Sequence, residues 1–187
     1  AVGVVLAITG RGAPVGLILF SVFALVAFMN FVNFMDGING LVSGQLILLP
    51  LGAALLFGSA GDATPVLIAV VMAGALAGFL PFNFPRARMF LGDVGSVPLG
   101  FSFGVLLLWM AATAADSALY KTLAVLPFYF YLEGSLTVIR RLCRGEKLSH
   151  AHREHFYQRL VRAGWSHART SGWVWALQIL VIALACW

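Results

Sequence analysis

The chain has 187 residues, of which 61% are hydrophobic and only 10% charged, with a formal net charge of +5. This balance excludes an ordinary soluble domain, in which about a quarter of the residues are charged. It points to a chain housed in a lipid bilayer, whose core of about 30 Å takes roughly 20 mostly apolar residues per helix.

In chain order, the apolar windows run Ala1 to Thr9, Pro14 to Met35, Leu41 to Ala60, Pro65 to Phe82, Val97 to Ala115, Leu119 to Arg140 and Gly172 to Trp187. The two end runs are short for a span. The expectation is therefore an all-α polytopic membrane helix bundle with about five complete spans and partial spans at both ends. A single integral-membrane domain over residues 1–187 is expected, truncated at its N-terminus and open to truncation at its C-terminus.

If the spans alternate across the bilayer, Arg86, Arg88, Arg140, Arg141, Arg144, Lys147, Arg153, Arg159, Arg162 and Arg169 fall on one side. Only Arg11 and Lys121 fall on the other. The positive-inside rule assigns the cation-rich side to the cytoplasm. Cys143 and Cys186 lie at opposite faces and are not expected to pair.

Polar side chains in such a chain are costly and concentrate where they act. The first constellation, NFVNFMDGINGLVSG, places Asn30, Asn33, Asp36 and Asn39 at steps of three near a span end. Gly37, Gly40 and Gly44 allow tight turns or the close approach of a ligand. Helix capping by Asn39 after a stop at Asp36 accounts for only part of this pattern.

The second constellation, NFPRARMFLGDVGSVPLG, starts at Asn83 and carries Arg86, Arg88, Phe90 and Asp93. Ser96 reads as the cap of a helix beginning at Val97. A carboxylate beside an anion-attracting helix start makes electrostatic sense with a hard divalent cation between carboxylate and phosphate, and Mg²⁺ suits that arrangement.

The third, RRLCRGEKLSHAHREHFYQRL, gathers His150, His152 and His155 with arginines. Zinc ligation lacks a nearby thiolate or a carboxylate at the usual spacing. Anionic lipid headgroups account for most of the cations, whereas guanidinium and imidazole together suit a diphosphate. Glu133, about two turns inside its span, is either a tie to a neighbouring helix or a ligand-facing group.

Taken together, NFVNFMDGINGL, NFPRARMFLGDVGS and the histidine loop resemble the motifs of the polyprenyl-phosphate N-acetylhexosamine-1-phosphate transferases. The resemblance implies an enzyme that moves a sugar-1-phosphate from a UDP-N-acetylhexosamine to undecaprenyl phosphate in the bacterial inner membrane, with its active site facing the cytoplasm. It implies Mg²⁺, or Mn²⁺ in its place, on Asp93. Asn33, Asp36, Gly37, Asn39, Asn83 and Phe90 would line the nucleotide pocket, with Phe90 placed to stack on uracil. His152 and His155, catalytic together with Asp93, and Arg153 and Arg159 would face the sugar or diphosphate; Arg88 would bind the substrate or, with Arg86, anchor the loop at the membrane surface. No nucleic-acid partner is implied, and a homodimer through lipid-facing helices is compatible with the pattern.

Arg86 replaces the family's proline, Asn39 stands where many relatives have aspartate, and, with His155 aligned to the first histidine of the family's H-x-H-H, Tyr157 and Gln158 replace the others. These departures bring the chain nearer to the members that initiate O-antigen or capsule than to the peptidoglycan enzyme. The family's aspartate-rich D-D-x-x-D motif is expected upstream of residue 1, so this stretch alone is expected to be inactive. A transporter or flippase for an anionic or lipid-linked substrate, and an inactive membrane scaffold, are the competing readings.

Overall fold

The computed structural model describes residues 14–58, 63–114, 117–146 and 154–187. Its described residues form eight helices and no strand: α1 (Val15–Met35), α2 (Leu41–Phe57), α3 (Ala63–Asn83), α4 (Gly92–Thr113), α5 (Ser117–Val125), α6 (Phe128–Cys143), α7 (Phe156–Arg162) and α8 (His167–Ala185). Four of them, α1, α3, α4 and α8, are long and apolar enough to cross a bilayer. The chain is a polytopic membrane helix bundle.

At 17 residues, α2 is shorter than these four, and it lies at the centre of the bundle. It is apolar on most of its faces and buries Leu41, Val42, Leu46, Leu49, Ala53 and Phe57. Gly44 lets α8 come close, because a Cβ there would run into the Trp175 indole. By contrast α1 and α3 leave Leu19, Phe20, Phe23, Leu67 and Val71 exposed.

Three expectations need correction. The run Leu119 to Arg140 is not one helix: α5 ends at Val125, and α6 begins after Pro127. Proline has no N–H to continue the ladder, and its ring clashes with the preceding turn. Gly172 to Trp187 belongs to a complete 19-residue helix that starts at His167. Ser166 caps it by accepting the Arg169 N–H at 3.1 Å, so a polar first turn hid the span's true length. The α4 helix starts at Gly92, not Val97. Ser96 lies inside it, donating back to the Gly92 carbonyl at 2.9 Å, and caps nothing. The run at Ala1 to Thr9 lies outside the described residues.

One end of the bundle collects the polar groups. The C-terminal ends of α1, α3 and α6 and the N-terminal ends of α2, α4 and α8 meet there, joined by hydrogen bonds from Asn33, Asn39, Asn83 and Tyr157. Lys121, on α5, stands at the opposite end.

Candidate active site

The polar groups at this end form three clusters. In the first, the Asn33 amide on the last turns of α1 donates 2.8 Å to Asp93 Oδ1 and lies 2.9 Å from Ser96 Oγ. This ties α1 to the start of α4 and aims the exposed Asp93 carboxylate off the first turn. Asp36, the C-cap of α1, accepts the N–H of Gly92. Gly92 itself holds φ +56°, a conformation that side-chain-bearing residues seldom adopt.

Burial pushes the Asp36 carboxyl up to about 6; the Gly92 N–H lowers it, and the charge of Asp93 raises it again. The two carboxylates thus lie close enough for the charge of one to act on the other. Asn30, a turn further in, bonds its amide back to the Val26 carbonyl of its own helix at 2.7 Å.

The second cluster is closed. Asn83 Oδ1 accepts the Gly40 N–H at 2.9 Å and the Ser43 hydroxyl at 2.8 Å, while its Nδ2 donates 2.9 Å to the Met89 carbonyl. Asn83 is buried, so its amide pins the 84–91 loop onto the start of α2. Asn39 does not cap α2; Gly40, at φ +77°, holds that position. Instead Asn39 donates 3.1 Å to the Pro85 carbonyl and accepts 2.8 Å from Ser171. From the pinned loop Arg86, Arg88 and Phe90 project outward, Phe90 with 72% of its surface exposed.

The third cluster resolves the role of Glu133. Its carboxylate, buried on α6, lies 2.8 Å from His155 Nδ1, takes the Thr137 hydroxyl at 3.1 Å and accepts the Phe156 N–H. Glu133 is therefore a tie that fastens the histidine loop to α6. Its partner His155 is 3% exposed and stacks on Tyr157 at 5.8 Å. Tyr157 donates 3.0 Å to the Phe34 carbonyl and fills the space that the missing side chain of Gly37 leaves beside Asp36. Burial, Glu133 and Asp36 together push its phenol well above the ordinary range. Arg159 is exposed on α7. His150, His152 and Arg153 lie outside the described residues.

Sequence reasoning missed this reach of Tyr157 to Asp36, since an aromatic in a basic loop gives no sign of its packing. It also left Ser96 as a cap when Ser96 is the second partner of Asn33.

Among the described residues no three His, Cys, Asp or Glu side chains gather to hold a metal. The pair Asp36 and Asp93 still fits a hard divalent cation of the kind that takes one or two carboxylates and completes its shell with water and phosphate oxygens. A separate pocket of about 390 Å³ lies among apolar groups of α1, α4, α5 and α6, including Phe20, Phe23, Leu107 and Pro127.

Residues 3–111 match the family model for glycosyl transferase family 4. The chain is 32% identical, over 96% of its length and 53% of the relative's, to a phospho-N-acetylmuramoyl-pentapeptide-transferase of Synechococcus sp. (strain JA-3-3Ab). It is 33% identical to a decaprenyl-phosphate N-acetylglucosaminephosphotransferase of Mycolicibacterium smegmatis, over 71% of the chain and 37% of the relative. To a probable undecaprenyl-phosphate N-acetylglucosaminyl 1-phosphate transferase of Bacillus subtilis it is 27% identical, over 70% and 37%. The chain spans about half or less of the length of these curated relatives.

Proposed function

The chain belongs to glycosyl transferase family 4, its polyprenyl-phosphate sugar-1-phosphate transferases, and from that footing we propose that the whole protein transfers an N-acetylhexosamine-1-phosphate from a UDP-sugar to undecaprenyl phosphate. An oxygen of the lipid phosphate forms a bond to the sugar-bearing phosphorus, the bond from that phosphorus to UMP breaks, and UMP leaves. The products are a lipid diphosphate sugar and UMP, the first intermediate of a cell-envelope polysaccharide. The curated relatives divide between two named sugars, and the proposal keeps what they share.

The observation that carries this reading is the acidic pair. Asp36 and Asp93 come from separate helices, are held by the Gly92 N–H and the Asn33 amide, and repel one another. A cation and a diphosphate would relieve that repulsion. Mg²⁺, held by Asp93 and Asp36, would supply charge neutralisation for the diphosphate in phosphoryl transfer. Arg88 and Arg159 are exposed beside this end for the same charge, with Arg153 assigned by motif alone. Phe90 offers an uncovered ring for the uracil.

Asn83 and Glu133 serve as positioning groups: one sets the 84–91 loop, the other the histidine loop carrying His155. The apolar pocket beside Pro127 offers room for part of the prenyl tail. The described arginines of the 84–91 loop, of α7 and of the ends of α6 and α8 gather at the active end, which supports a cytoplasmic site in a bacterial plasma membrane.

The test is UMP release by the complete protein in liposomes supplied with UDP-N-acetylglucosamine, with and without undecaprenyl phosphate. A transferase releases UMP only with the acceptor present. Movement of a substrate across the bilayer without UMP would establish a transporter instead.

A further inference from the structure

The start of α8 carries a second group of side chains that the transferase reading does not use. The Arg169 guanidinium lies 3.9 Å from the centre of the Trp165 ring, and Trp165 lies 6.4 Å from Trp173. Arg169 and Trp173 are one helical turn apart and share a face. That face continues as Leu177, Leu180 and Leu184, which are 44%, 54% and 66% exposed. By helical rise the row from Arg169 to Leu184 covers about 22 Å, longer than the hydrocarbon of one leaflet, about 15 Å.

The placement of Arg169 suits an anion beside it. It sits in the first turn of α8, where the helix dipole disfavours a cation, and among the described residues no carboxylate pairs with it. Indole rings prefer the headgroup level of a bilayer, and a guanidinium stacked on one keeps its N–H edge for a phosphate.

We propose that Trp165, Arg169 and Trp173 form a headgroup site for an anionic phospholipid of the surrounding bilayer. The phosphate sits on Arg169, and one acyl chain lies along Leu177, Leu180 and Leu184. This site requires only that α8 cross the membrane and is independent of the transferase reading.

The test is native mass spectrometry of the complete protein, released from detergent in the presence of phosphatidylglycerol, with bound lipid counted at each concentration. Arg169→Gln is expected to weaken phosphatidylglycerol binding about fivefold, the worth of one cation near an anionic lipid surface, while Arg140→Gln leaves it unchanged. Trp173→Leu, which keeps the apolar surface should Arg169→Gln fail to fold, is expected to weaken it about threefold through loss of the interfacial indole. Three results would overturn the proposal: equal losses for Arg140→Gln and Arg169→Gln, equal binding of phosphatidylcholine, or displacement of the lipid by inorganic phosphate or undecaprenyl phosphate.

Discussion

Asn83 and Asp93 stand at the same end of the bundle, ten residues apart in one loop motif, and they behave in opposite ways. Asn83 is buried with both ends of its amide engaged by Gly40, Ser43 and Met89. Asp93 is exposed, held on one side by Asn33, and faces a second carboxylate at Asp36. The first arrangement is complete without a ligand; the second leaves an exposed carboxylate beside a half-buried one. Under the proposed function, the difference within one motif separates the group that builds the loop from the group that would meet the substrate.

The largest expected effect is on turnover. Asp93→Asn should lower kcat about 10²- to 10³-fold, the cost of removing one fixed electrostatic group from a reacting centre, while the melting temperature holds or rises because a repulsion is gone. Asn83→Ala should do the reverse. It strands the Gly40 N–H and the Met89 carbonyl, so thermal unfolding in detergent should show a loss of about 2–3 kcal/mol, with the protein that stays folded keeping most of its kcat. If both variants lose stability equally, the division between scaffold and centre collapses.

A smaller effect concerns pH. The Asp36 carboxyl titrates near 6, above its ordinary value, so a cation must displace a proton there in acid. Between pH 7.5 and pH 5 the affinity for Mg²⁺ should fall about tenfold, read from the Mg²⁺-induced rise in melting temperature. Without the cation the sign reverses: a raised carboxylate pKa makes the folded state hold more protons, so stability should rise as pH falls from about 6 toward 4. The smallest effect is at Phe90, where Phe90→Leu should raise KM for the UDP-sugar about threefold through loss of stacking and leave kcat unchanged.

Much of this was legible in the sequence. The apolar windows marked the spans of α1, α3 and α4 because lipid leaves few alternatives to a helix. Asn33, Asp36 and Asp93 stood out because they are polar at span ends, and the structure brings them together. What sequence could not give was pairing across distance. Glu133 and His155 are 22 residues apart and look like two independent candidates until the carboxylate is seen to take the ring N–H and the Phe156 N–H. Gly44 read as a tight turn or room for a ligand, whereas it sits inside α2 and the space is filled by Trp175 from α8. The break at Pro127 was masked by unbroken hydropathy on both sides, since hydrophobicity does not register a missing N–H.

The most direct measurement is Mn²⁺ binding by electron paramagnetic resonance, with Mn²⁺ standing in for Mg²⁺ and UMP present, in the complete protein and its Asp93→Asn and Asn83→Ala variants. The acidic pair predicts one tightly bound ion per chain in the parent and in folded Asn83→Ala, and none in Asp93→Asn. Equal Mn²⁺ binding by the parent and Asp93→Asn would contradict it and place the metal, and the chemistry, elsewhere.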